Sequence, residues 1–172
     1  MTIFKVAVFA AAVILLTAPA YATCVPWEGP PGVYARLNDP NFATSECWTF
    51  GGTAYHDSSN QVGALPSSTA SISQSTSFSG ESYSLYELVV DVDIITDGSP
   101  GSERLRLEVL NNVGQVIETI DIISVWDGPD DYYYVLNDYD GDDITIRARY
   151  DAGATPGGSV FTVDNFSIWV TP

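Results

Sequence analysis

Lysine is nearly missing from this chain: Lys5 is the only one, and it lies in the first apolar stretch. The other basic side chains are five arginines, Arg36, Arg104, Arg106, Arg147 and Arg149, set against 22 Asp and Glu. So little positive charge repels phosphate backbones and anionic lipid, which disfavours nucleic acid and membrane-surface partners. Histidine is as scarce. With His56 alone, a Ser-His pair or a multi-histidine metal cage would hang on one residue with no supporting motif. A carboxylate pair of the glycosidase kind is defined by geometry rather than spacing, and the even spread of acids through turns speaks against one. The chain also lacks an internal repeat, a long low-complexity linker and, beyond its N-terminus, any stretch of sustained helical periodicity.

The N-terminus does have a long apolar run. Residues 1 to 22 combine Lys5, that run and an Ala20-Tyr21-Ala22 cleavage site, the pattern of a secretory signal peptide and too short for a membrane span. The expected product is a secreted protein, extracellular or periplasmic, starting at Thr23. It has 172 − 22 = 150 residues, one domain over 23–172, and a net charge of 5 − 22 = −17. A domain of this size buries about 70% of the surface of its unfolded chain, so it needs no metal merely to supply a core. Both cysteines, Cys24 and Cys47, fall in the exported part, where oxidation favours a disulfide worth about 3 kcal/mol by loop entropy. Lipidation of Cys24 is the competing reading, but Tyr21 and Thr23 sit where that signal takes an aliphatic and a small residue.

What remains is rich in Val, Ile, Thr, Tyr and Phe, in short runs broken by Gly, Pro, Asn, Asp and Ser. That composition predicts an all-β, two-sheet antiparallel sandwich. Strands are expected at 50–55, 70–78, 83–95, 103–111, 116–123, 132–136, 144–150 and 159–170, with hairpins around 97–102 and 111–115. In the last strand the apolar set changes parity. Phe161 and Val163 share one face, whereas Phe166, Ile168 and Val170 share the other, so one extra residue at Asp164-Asn165 is needed to keep both sets on the core. Such a bulge either places a carboxylate to hold a hard cation or a loop, or only caps a bend.

Alternation in Val90–Ile94, Glu103–Leu107 and Ile146–Tyr150 sets acids and arginines opposite apolar residues. The expectation is a solvated face with cross-strand ion pairs, or a polar binding face for hydroxyl-rich ligands. Sugar rings stack flat C–H faces on aromatic rings while Asp, Asn and Arg bind their hydroxyls. On that chemistry the best loop-borne site is Trp126, Asp127, Asp130, Tyr132 and Tyr134; edge packing is the plainer reading of each aromatic. Trp48 and Trp169 read as packing residues and His56 as a loop residue.

Three blocks occur in order: Leu37-Asn38-Asp39-Pro40-Asn41-Phe42 with Trp48-Thr49, the loop and strand from Leu136 to Arg147, and Phe161 to Ile168. Together they resemble the galactose-binding-like jelly roll of many bacterial carbohydrate-binding modules, and the likeness spans essentially the whole exported chain. The resemblance implies a jelly-roll sandwich, a poly- or oligosaccharide ligand, and a structural Ca2+ held by Asp164 and Asp39. Where the family commonly has Glu after the opening Phe, this chain has Ala43, one carboxylate fewer for an ion that takes six to eight oxygens. The acidic run Asp138 to Asp143 lacks the bidentate Glu and the flanking helices of an EF-hand, and is read as a turn.

Two functions fit: a secreted, non-catalytic, lectin-like module, or an extracellular structural or adhesive protein that self-associates, as in a matrix or filament. The domain standing alone behind its signal, its strand edges and the irregular segment 23–36 speak for the second.

Overall fold

The computed structural model describes residues 34–35, 37–77, 85–96, 100–137, 139 and 142–171. The signal segment, Cys24, Trp27, Arg36, Asp138, Asp140 and Gly141 lie outside them. Eleven strands follow in order: β1 (Tyr34–Ala35), β2 (Thr49–Gly51), β3 (Tyr55–Asp57), β4 (Val62–Leu65), β5 (Ser71–Ser77), β6 (Leu85–Thr96), β7 (Arg104–Leu110), β8 (Val116–Ser124), β9 (Asp130–Val135), β10 (Asp143–Asp151) and β11 (Ser159–Thr171). All pairings are antiparallel. One sheet runs β3-β4-β11-β6-β9, with β1 continuing the β4 side of β11, and the other runs β2-β5-β10-β7-β8. The result is a two-sheet jelly-roll sandwich.

Most strands stand where alternation places them. The expected strand over 50–55 is instead broken into β2 and β3 by a turn at Gly52, whose φ of 62° suits glycine. The hairpin at 111–115 forms: Asn111 N–H donates to the Gln115 carbonyl, Gly114 N–H donates to the Asn111 carbonyl, and Gly114 takes a φ of 80°. The segment after β6 is not a hairpin, because β6 and β7 belong to different sheets and the chain crosses the sandwich there.

The parity change in β11 is a bulge. Its ladder with β6 shifts register between Asp164 and Ser167, and Asn165 adopts a φ of 44°. Phe161, Val163, Phe166, Ile168 and Val170 are therefore all fully buried in one core. Trp48 is the packing residue it was expected to be: its indole stacks between Phe42 and Phe166, at centroid distances of 4.6 and 5.3 Å. Its N–H donates to the Asp39 carbonyl at 2.8 Å. His56 lies on β3, 2.5 Å from the Phe42 carbonyl.

The two sheets differ in charge. β7 and β10 share a sheet, and there Glu108, whose side chain is 3% exposed, receives Arg147 at 2.6 Å and Arg149 at 3.1 Å. Arg106 reaches Asp151 at 2.6 Å. Burial pushes the Glu108 carboxyl up, but the hydrogen bonds from Arg149 and Arg147 outweigh it and hold the group below its ordinary value. Glu108→Gln leaves two guanidiniums facing a neutral amide, and should lower the melting temperature by roughly 4–8 °C, about 2 kcal/mol. A calorimetric scan checks it, and an unchanged transition would make the ion pairs decorative.

Candidate functional site

The outward face of the other sheet carries a cluster of acids. Asp164 on β11 faces Asp91 on β6, and Asp91 faces Asp131 on β9, so three carboxylates stand in one row across three strands. Neighbouring strands lie about 4.8 Å apart. Two ionised carboxylates at that spacing repel by about 1 kcal/mol in a water-like medium and about 3 kcal/mol at the effective dielectric of a protein surface. Like charges directly opposed weaken a sheet.

The row forms the floor of an open groove of about 710 Å³, walled by Asp57, Asn60, Asp93, Pro129, Asp130 and Thr162. Burial, then the charge of Asp131, pushes the Asp91 carboxyl above its ordinary value, against a hydrogen bond from Asn165. Burial also raises Asp164, whose Oδ1 accepts the Asn165 N–H at 2.7 Å. The bulge thus delivers both its residues to the row. Asp91 Oδ1 is sealed from water and has no hydrogen-bond partner. Asp57 is ordered by Asn60 Nδ2 at 2.8 Å and the Ser59 N–H at 2.9 Å.

One row along the same face, Tyr133 of β9 lies opposite Val89, which lies opposite Ser167 of β11. Tyr133 is 61% exposed, a flat ring beside the acids. It was not part of the loop-borne site chosen from the sequence. The ladder shows why it belongs: residues 131, 133 and 135 face outward, and residues 132 and 134 face inward.

The sequence-derived residues are accordingly divided. Tyr132 and Tyr134 turn into the sandwich, stack at 6.1 Å and pack against the core. Tyr134 donates its hydroxyl to Asp121 of β8 at 2.6 Å, and Tyr139 donates to Glu118 of the same strand. These two bonds tie the open edges of the sheets together, and burial followed by the acceptor carboxylate pushes both phenols up. Trp126 is 69% exposed on the connection from β8 to β9, with its indole N–H on the Gly101 carbonyl at 3.0 Å. Asp127 closes that turn by accepting the Ser124 N–H at 2.6 Å. Asp130 reaches the groove wall.

Asp39 and Asp164, the two calcium candidates, have different surroundings. The Asp39 carboxylate accepts the Ala43 and Thr44 N–H groups, each at 2.9 Å, and the Thr44 hydroxyl at 3.1 Å, capping its own turn at a φ of 50°. Asp164 lines the groove and Asp39 does not. Among the described residues no group of three or more His, Cys, Asp or Glu side chains has the geometry to hold a metal ion. Cys47 packs half-buried against the core. No described cysteine is free.

No protein-family model matches the chain, and no curated protein matches it. Solved structures do. The family 61 carbohydrate-binding module TmCBM61, in complex with β-1,4-galactotriose, aligns at a TM-score of 0.53 and 13% identity over 78% of this chain and 97% of that one. A CBM29-2 variant complexed with mannohexaose aligns at 0.51 and 12%, over 81% and 91%. A CBM4 structure aligns at 0.51 and 8%, over 78% and 99%. At such identities the likeness is one of fold: this chain is built as a jelly roll of the kind found in carbohydrate-binding modules.

Proposed function

We propose that the protein is a secreted, non-catalytic carbohydrate-binding module whose ligand, a poly- or oligosaccharide, lies in the groove on the β3-β4-β11-β6-β9 sheet. One observation carries the reading. An open groove lined by carboxylates and an amide runs beside an exposed tyrosine, and structural neighbours of this fold include modules complexed with galactotriose and mannohexaose. The groove offers hydrogen-bond acceptors for sugar hydroxyls, and Tyr133 offers a face for the ring. Export by the 1–22 segment and a Cys24–Cys47 disulfide belong to the same proposal, since both place the domain outside the cell.

The test is a panel of oligo- and polysaccharides titrated against the purified protein, with calcium and with chelator. Saturable binding without release of reducing sugar is the expected result. Hydrolysis of any glycan would overturn the non-catalytic part, and a folded protein that binds no glycan would overturn the whole. Trp126→Ala should leave the melting temperature within about 2 °C, since the indole is largely exposed, while weakening binding. Unchanged affinity would remove the β8–β9 connection from the site.

A second reading, self-association of an extracellular structural protein, draws on one feature. Edge strand β8 presents Val116, Ile117 and Ile122, each more than a third exposed. Concentration-dependent assembly without glycan, measured by light scattering, would favour it.

A further inference from the structure

The chemistry of the groove is one-sided. Its lining includes six aspartates, Asp57, Asp91, Asp93, Asp130, Asp131 and Asp164, and no Lys, Arg or aromatic residue. The described arginines all lie on β7, on β10, in the opposite sheet, where Arg106, Arg147 and Arg149 are bound to carboxylates of their own. Nothing described in the protein neutralises the Asp164–Asp91–Asp131 row.

Two groups of the lining residues lack partners. Asp91 Oδ1 is cut off from water and accepts no hydrogen bond. Thr162, 8% exposed, forms part of the groove wall, and its hydroxyl has no hydrogen-bond partner among the described residues. A buried polar atom left unsatisfied, as Asp91 Oδ1 is, is destabilising, while the Thr162 hydroxyl is free to meet a ligand in the groove. A neutral sugar would hydrogen-bond to the acids yet leave their mutual repulsion in place, and no aromatic ring lines the groove itself to stack on it. Among the described residues a bare divalent ion finds no three-acid cage. An ammonium group is different: it has three donors and no acceptor, and makes short, charge-assisted bonds to carboxylates while cancelling their repulsion.

Resting on the glycan-binding reading above, we infer that the groove takes a glycan bearing free amino groups, a deacetylated amino-sugar chain, with an ammonium seated over the Asp91 position. Asp131 and Asp164 flank it, Thr162 supplies a hydroxyl, and a ring of the chain rests on Tyr133. N-acetylation of the ligand removes the charge and with it the reason for the acid row.

The probe is a fully deacetylated glucosamine oligosaccharide. It is titrated calorimetrically against the full protein beside its fully N-acetylated counterpart of equal length, a neutral glucose oligosaccharide and an oligolysine of equal charge. The expected result is binding to the deacetylated chain at least about tenfold tighter than to any of the others, weakened several-fold by high salt. Asp91→Asn should weaken it by about tenfold and Asp131→Asn should do the same, while both variants remain folded by circular dichroism. Equal or tighter binding of the acetylated or neutral chain would overturn the amino-sugar assignment and leave the glycan-binding reading standing. Equal binding of oligolysine would reduce the groove to a general cation attractor and overturn it as well. Failure to bind any of the sugars would overturn both readings.

Discussion

Replacing Asp91 by asparagine is expected to raise the melting temperature by about 3–6 °C, against the usual trend that substitutions at an ordered strand position destabilise. Asp91 stands between Asp131 and Asp164 in adjacent strands, and both its burial and its acidic neighbours oppose ionisation. An amide of the same shape removes the charge from the middle of the row, and its N–H groups can donate to either flanking carboxylate. The gain is about 1–2 kcal/mol once solvent screening of a partly exposed site is allowed for. The pH dependence carries the same sign. A carboxyl whose pKa is raised by folding binds more protons in the folded state. Its stabilising contribution is complete below the unfolded pKa and is lost as pH rises through the folded one. For Asp91 and Asp164 the wild-type melting temperature should therefore climb as pH falls from neutrality toward the ordinary carboxylate range, and Asp91→Asn should flatten that climb. Glu108, whose pKa is lowered by folding, acts the other way and sets in at lower pH, so stability should peak in mild acid. Thermal scans of both proteins across this range decide the matter. A variant less stable than wild type at neutral pH would show that the row is held together by something other than the groups described. A position where the native residue opposes stability is the expected signature of a binding function, because a site built for an absent ligand is strained without it.

The sequence disclosed what depended on neighbours in the chain and concealed what depended on partners far away in it. The bulge at Asp164-Asn165 was legible because Phe161, Val163, Phe166, Ile168 and Val170 could share a core only with one residue inserted between them. Strand β4 was not legible. Val62-Gly63-Ala64-Leu65 has no alternation to see, and its glycine is set by packing: a Cβ there would come within 2.5 Å of Ile72 Cδ1 and 2.9 Å of Phe42 Cε1. The turn-rich segment 97–102 read as a hairpin because turn chemistry does not say whether the next strand joins the same sheet. The candidate site was half visible for a similar reason. Three consecutive tyrosines offer both faces of a strand equally, and only the pairing of Tyr133 with Val89 decides that residue 133 meets solvent and residues 132 and 134 meet β8. The acid row brings together residues 91, 131 and 164, whose proximity exists only in the order β11-β6-β9.

The same bulge supplies the most severe test of how the chain specifies its fold. Deleting Asn165 restores strict alternation to β11. If the ladder on the Phe161 side holds, Phe166, Ile168 and Val170, all fully buried, exchange faces with Ser167 and Trp169. Burying each such apolar side chain is worth roughly 1.5–3 kcal/mol, and three together match much of the 5–15 kcal/mol by which a domain of this kind is stable. Slipping the other half instead would expose Phe161 and Val163 and break the pairing with β4. Neither register rescues the core. The deletion is expected to give a protein without a cooperative thermal transition and without near-ultraviolet dichroism from Trp48, whose ring stacks on Phe166. Asn165→Gly separates length from chemistry. Glycine takes the φ of 44° without strain, so the fold should persist within about 1 kcal/mol, while Asp91 loses its one amide donor and the groove its ordering at that corner. A deletion variant that melts cooperatively within a few degrees of wild type would mean that β11 does not set the register of the sandwich. In that case its partner β6 would have to impose the register on it.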